Sequence, residues 1–149
     1  MNSAIERLLS LRVGDMMTPA PIRLSQSQTM QEAASLLVEH DISGAPVVDD
    51  RGVCAGVLTT TDFVQREFLV ATPSGGSSMG SAEGRPDLVG DCMTSFVHSV
   101  QENATMMVAA RVMCDEHIHR IVVLDELGRP VGVVTALDVV AALKYAIEE

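Results

Sequence analysis

Two short stretches of this chain carry groups suited to holding a sugar and a phosphate. Gly56-Val57-Leu58-Thr59-Thr60-Thr61-Asp62 and Gly132-Val133-Val134-Thr135-Ala136-Leu137-Asp138 share the form Gly-apolar-apolar-Thr-x-x-Asp. In each, a strand-like apolar run gives way to a helical pattern. Such a junction presents unpaired backbone N–H groups at the positive end of a helix dipole, where a phosphate is stabilised. A Thr hydroxyl adds a donor for a phosphate oxygen, and an Asp three residues on accepts from the two hydroxyls of a ribose. Glycine, without a Cβ, lets a ligand or a neighbouring backbone come close. The same Thr-x-x-Asp spacing is also a helix capping box, whose carboxylate stabilises the first turn by about 0.3–1 kcal/mol. Spacing alone leaves both readings open.

The two stretches belong to a longer repeat. Val13-Gly14-Asp15-Met16-Met17-Thr18 recurs as Val89-Gly90-Asp91-Cys92-Met93-Thr94, an offset of 76 positions (89 less 13). Without a gap, the same offset pairs Ala33-Ala34 with Ala109-Ala110, Val47 with Val123, Gly52 with Gly128 and Asp62 with Asp138. The chain is therefore two copies of one unit of roughly sixty residues, too small to build a sufficient core alone, and the copies are expected to pack as a pseudo-twofold pair.

Each copy reads as β-α-β-β-α, a mixed α/β layer. Pro21–Leu24 and Phe96–Val100 alternate as short strands. Thr29 and Glu32 form a capping box ahead of a helix with Ala33, Leu36, Leu37 and His40 along one face. Met106, Ala109, Ala110 and Met113 fill the equivalent face, where Val108 replaces Glu32 and the box is lost. Ala45–Val48 and Val53–Leu58 flank the Asp49–Gly52 turn, and Ile121–Leu124 and Val131–Val134 flank Asp125–Gly128. A closing helix starts near Asp62 or Asp138. Ser3 and Glu6, spaced as a capping box before Leu8 and Leu9, predict one further helix at the N-terminus. The expected organisation is that helix over residues 1–12, repeats over 13–71 and 89–149, and a Gly/Ser-rich linker over 72–88. The linker lacks the Lys-Ser/Thr of a phosphate loop.

Composition narrows the partners. The 149 residues include 10 Lys plus Arg against 20 Asp plus Glu, a formal charge of −10. That balance opposes binding to nucleic acid or an anionic membrane, which need a basic footprint. Aromatics at 3% exclude a base-stacking platform. Three cysteines are too few for a disulfide scaffold, and no apolar run reaches the ~18–20 residues that span a bilayer. A reduced, cytoplasmic protein is the expectation.

Taken together, the repeat, its opening Met-Thr, its Pro46-Val47-Val48-Asp49 strand (Val122-Val123-Leu124-Asp125 in the second copy) and its Gly-x-x-Thr-x-x-Asp close resemble a tandem pair of cystathionine-β-synthase (CBS) domains over residues 13–71 and 89–147. The resemblance implies a disc-shaped pair with two clefts that bind AMP, ADP, ATP or S-adenosylmethionine. It implies Thr59 and Thr135 on phosphate or ribose and Asp62 and Asp138 on ribose hydroxyls. The segments Ser43-Gly44-Ala45-Pro46 and His119-Arg120-Ile121-Val122 would line the adenine or phosphate side, with Thr18 and Thr94 near the cleft mouths. It further implies a homodimer that regulates an attached or partner enzyme or transporter.

Charge distinguishes the copies. The chain has one Lys (Lys144) and nine Arg, and Arg120 with His119 stands where the first copy has Gly44 and Ser43. The cleft bearing Arg120 is therefore expected to hold phosphate better. Pro19 is matched by Ser95 and Pro46 by Val122, so equal affinity of two sites is not expected. Cys114, His117 and His119 have metal-ligand character but fall outside the repeat, and Cys114 reads as a small buried hydrophobe. Met16-Met17 and Met106-Met107 read as packing residues. No nucleophile–base pair stands at recognisable spacing, so no enzyme is required. The sequence points to a nucleotide-sensing regulatory module. The alternatives are a constitutive dimeric scaffold in which Thr-x-x-Asp only caps helices, and a metal or redox sensor on the Cys114 cluster.

Overall fold

Thr29 opens its helix as the spacing predicts: its hydroxyl accepts from the Glu32 amide at 3.0 Å, and Glu32 accepts from the Thr29 amide at 2.9 Å. In the second copy Thr105 accepts from the Val108 amide at 3.3 Å, and Val108 has nothing to return. These helices belong to a computed structural model that describes residues 3–70 and 87–148. The elements are α1 (Ser3–Ser10), α2 (Val13–Met16), β1 (Thr18–Pro19), β2 (Leu24–Ser25), α3 (Met30–Glu39), β3 (Gly44–Val48), β4 (Cys54–Thr59) and α4 (Thr60–Val70). The second half has α5 (Val89–Cys92), β5 (Ser99–Val100), α6 (Met106–Glu116), β6 (Arg120–Leu124), β7 (Pro130–Thr135) and α7 (Ala136–Glu148). The fold is mixed α/β.

Both β-hairpins are closed in the same way. Asp49 Oδ1 accepts from the amides of Arg51 and Val53 at 2.8 and 3.0 Å, and Asp125 Oδ1 accepts from Leu127 and Arg129, both at 2.9 Å. Gly52 and Gly128 follow at φ 81° and 82°, the left-handed region that favours glycine. β3 then runs antiparallel to β4 with Gly44 opposite Thr59, and β6 antiparallel to β7 with Arg120 opposite Thr135. β2 and β5 add parallel strands at the β3 and β6 edges. These opening strands are shorter than the alternation over 21–24 and 96–100 predicts. Pro21 has no N–H to give a ladder, and pairing begins only at Leu24 and Ser99.

The chain divides into two compact units that do not follow the repeat boundaries. One takes the described residues up to Pro21 together with those from Val97 onward, and the other is Ile22–Phe96. The opening segment of each repeat packs with the body of the other. In the first unit Val13 N donates to Ala104 O at 2.7 Å, Gly14 N to Glu102 O at 2.9 Å, and Met106 N to Leu11 O at 2.9 Å. In the second, Val89 N donates to Gln28 O at 2.9 Å, Gly90 N to Gln26 O at 3.0 Å, and Met30 N to Asp87 O at 2.9 Å. Val13 and Val89 are fully buried.

Each unit has its own core. In the Ile22–Phe96 unit, Leu24, Ala33, Leu37, Val47, Leu58 and Val89 cluster. In the other, Val13, Met106, Ala109, Ile121, Val134 and Ala142 cluster, and α1 packs on α7. Arg7 donates through Nε and Nη2 to the Ala146 carbonyl at 3.0 and 2.5 Å, serving a helix end whose carbonyls have no helical partner. Some expectations change. His40 is exposed rather than on the buried helix face, and Cys114 is exposed rather than a small buried hydrophobe. Of the expected linker, residues 72–86 lie outside the described residues. Asp87 and Leu88 are held in place: Asp87 pairs with Arg66, and Leu88 bridges to Thr29. No helix among the described residues is long and apolar enough to cross a membrane.

Candidate ligand-binding site

Each compact unit contains one Thr-x-x-Asp junction, and the twelve expected site residues divide six to each unit. Thr18, His119, Arg120, Ile121, Thr135 and Asp138 belong to the first unit, and Gly44, Ala45, Pro46, Thr59, Asp62 and Thr94 to the second. At both junctions a strand passes directly into a helix, β7 into α7 and β4 into α4. The first helical amide is already committed in each. Ala136 N donates to His119 O at 2.8 Å, and Thr60 N to Ser43 O at 2.9 Å.

The aspartates do cap their helices. Asp138 Oδ2 accepts from Thr135 N at 2.8 Å and from Thr135 Oγ1 at 3.1 Å, and Asp138 N donates back to that hydroxyl at 3.3 Å. Asp62 Oδ2 accepts from Thr59 N at 2.9 Å and from Thr59 Oγ1 at 3.4 Å. In both cases capping uses one carboxylate oxygen and leaves the other to be accounted for. In the second unit Asp62 Oδ1 accepts from the Thr94 hydroxyl at 3.0 Å, and Asp62 is only 9% exposed. In the first unit Asp138 is half-buried, and among the described residues no hydrogen bond reaches its Oδ1. Capping and ligand binding are thus compatible at Asp138.

The glycines of the motif serve a neighbouring backbone. A Cβ on Gly56 would lie 2.6 Å from the Thr94 carbonyl oxygen, and one on Gly132 would lie 3.1 Å from that of Thr18. The exchanged opening segments run along these strands: Thr18 lies opposite Val133 and Pro19 opposite Gly132, while in the second unit Thr94 and Val57 form a single bridge. Only the first unit continues the contact. Ala20 N reaches Val131 O at 3.2 Å, with Ala20 in the left-handed region at φ 50° between two prolines.

The remaining site residues fall into two groups. Thr18, Thr94, His119 and Arg120 are exposed, and Gly44 is half-buried. Ala45, Pro46 and Ile121 are core residues at 6%, under 2% and 1% exposure, so their side chains support the strands from inside. Arg120 stands directly across the β6–β7 ladder from Thr135, where the second unit has Gly44 opposite Thr59. Sequence reasoning missed the Thr94–Asp62 bond and the Arg66–Asp87 pair, whose two contacts measure 3.2 and 2.6 Å. That pairing raises the Arg66 pKa further above its usual value. Burial pushes the Cys54 and Cys92 thiols up. Among the described residues, no three His, Cys, Asp or Glu side chains gather as a metal would require.

The CBS domain model matches residues 13–68 and 89–145, and the chain belongs to that family. It is 31% identical over 128 residues to the CBS domain-containing protein YhcV of Bacillus subtilis, covering 85% of this chain and 81% of that protein. The crystal structure of CBSX2 in complex with AMP superposes with a TM-score of 0.76 at 28% identity, over 93% of this chain and 99% of that one. The CBS domain pair of protein MJ0100, in complex with 5-methylthioadenosine and S-adenosyl-L-methionine, gives 0.69 at 25% identity, over 87% and 97%. Other curated relatives are longer: the chain spans 62% of the chloroplastic CBSX2 of Arabidopsis thaliana, and 23% and 22% of two that are enzymes by name.

Proposed function

We propose that this chain is a regulatory module that binds an adenosine-containing ligand, AMP, ADP, ATP or S-adenosylmethionine, at a Thr-x-x-Asp junction. The observation that carries the reading is the Asp138 carboxylate. It is oriented by its own cap and, among the described residues, keeps one oxygen without a partner, as a ribose diol needs. Arg120, opposite Thr135, supplies the counter-charge for phosphate. CBSX2 with AMP and MJ0100 with S-adenosyl-L-methionine support the ligand class. The module assigns no covalent step to its own residues. It acts by differential binding: the ligand favours one arrangement of the chain, and an enzyme or transporter reads the difference.

Thermal shift measures this directly, because a ligand that binds only the native state raises the melting temperature. AMP, ADP, ATP and S-adenosylmethionine are compared on the wild-type chain and on Asp138→Ala. The expected outcome is a shift for at least one ligand that the substitution abolishes. If no ligand moves the wild type and the substitution only lowers its baseline, the aspartates are caps and nothing more. Arg120→Ala is expected to weaken AMP about tenfold, near the lower end of what a charged hydrogen bond contributes, and adenosine hardly at all.

A second reading, a homodimeric interaction scaffold, is favoured by α7. Leu137, Val140, Leu143 and Ile147 stand three or four residues apart and are 74%, 58%, 47% and 63% exposed. An apolar stripe of that length fits a second copy of the chain. Light scattering of the wild-type chain without ligand reads the state, with a dimer expected.

A further inference from the structure

The two junctions differ in what their aspartates' second carboxylate oxygen accepts from. Asp62 and Asp138 are equivalent in the repeat and capped alike through Oδ2. Asp62 Oδ1 already accepts a hydroxyl, that of Thr94 at 3.0 Å. Thr18 is the equivalent threonine in the other unit, and among the described residues its hydroxyl makes no bond to Asp138. The two segments also differ one residue downstream. Thr18 precedes Pro19, which restricts the preceding residue to extended backbone, and its segment stays along β7 through Pro19 and Ala20. Thr94 precedes Ser95 and carries no such restriction, and its segment makes a single bridge to Val57.

We propose that the Thr94 hydroxyl acts as a built-in substitute for a sugar hydroxyl, satisfying Asp62 from within the chain, so that each chain binds one adenosyl ligand, at Asp138. A ligand at Asp62 would have to displace a bond to a carboxylate that is only 9% exposed. A ligand at Asp138 displaces no group of the described residues from Oδ1. Thr94 is thus a specificity-determining residue that silences one of two junctions of common origin. This rests on the ligand class proposed above.

Isothermal titration with AMP tests it on the full chain. The wild type is expected to bind one AMP per chain, Asp138→Asn to lose binding at least tenfold, and Asp62→Asn to keep it within about twofold. Thr94→Ala frees Asp62 Oδ1 and is expected to add a second binding event, while Thr94→Ser, which keeps the hydroxyl, is expected to stay at one. Should Thr94→Ala fail to fold, the Asp62→Asn and Asp138→Asn pair still decides. Two equal events in the wild type, or loss of binding with Asp62→Asn rather than Asp138→Asn, overturn the inference and leave the ligand reading standing. Absence of binding to any adenosyl ligand overturns both.

Discussion

At equivalent positions the two units hold their closing helix against the exchanged segment with different chemistry. In the Ile22–Phe96 unit Arg66 on α4 pairs with Asp87 at 2.6 Å, with side chains 31% and 16% exposed. Seventy-six positions away stand Ala142 and Leu11 (66 plus 76; 87 less 76). Ala142 is fully buried and Leu11 packs against the same apolar cluster. One geometry therefore tolerates an ion pair or an aliphatic contact, provided both partners change together. Removing one partner of a desolvated pair costs more than replacing both by apolar groups. The repeat keeps both positions in the packing of the closing helix, with an ion pair in one unit and apolar side chains in the other.

The comparison can be broken first at the strand glycines. Gly56→Ala drives a Cβ against a backbone carbonyl at 2.6 Å, whereas Gly132→Ala meets its backbone carbonyl at 3.1 Å and otherwise the flexible Met17 thioether. Urea unfolding is expected to show a loss of about 3 kcal/mol for Gly56→Ala and about 1 kcal/mol for Gly132→Ala. Equal losses would mean that the two opening segments are held with equal rigidity.

A smaller effect sharpens the same contrast. Asp87→Ala is expected to cost about 2 kcal/mol, because it leaves Arg66 without its carboxylate in a partly dehydrated place. Installing the other unit's pair, Asp87→Leu with Arg66→Ala, is expected to recover most of that loss in the same assay. If the double variant is no better than the single one, the two units do not share an interchangeable contact.

The smallest effect lies in the hairpin turns. The Arg129 amide, followed by the Leu127 amide and the Arg129 side chain, holds the Asp125 carboxyl below its usual range. A carboxyl lowered on folding adds stability in full above its unfolded pKa, and that stability is lost as pH falls through the folded value. Asp125→Asn is therefore expected to be slightly less stable than wild type at pH 7. The gap should close on acidification below about pH 4, the ordinary Asp range. Melting temperatures across that range measure it.

Much of this organisation was legible from residue types. The 76-residue register located both hairpins, and Thr29 with Glu32 fixed the start of α3, because turns and caps are made by residues close in sequence. The exchange of opening segments was not legible. Val13-Gly14-Asp15 and Val89-Gly90-Asp91 are near-identical strings that record that something packs on them, without recording which half supplies it. The site divided along the same line. The pairing of Thr59 with Asp62 and of Thr135 with Asp138 follows from local spacing, whereas the Thr94–Asp62 bond spans 32 residues. Pro19 against Ser95 marked the two copies as unequal, but the atom that differs emerged only when the chain was folded.

The division of the chain also sets an order of assembly. The unit built on Ile22–Phe96 is one unbroken stretch, whereas the other joins residues up to Pro21 to those from Val97 onward. During synthesis the first can close once Phe96 has emerged, since domains generally fold as units from the N-terminus. α1 and the first Val-Gly-Asp must wait, with Val13 unsheltered, for a partner the ribosome has yet to make. An early stop beyond Phe96 would therefore leave a finished half trailing an apolar N-terminal arm, a ready target for a chaperone.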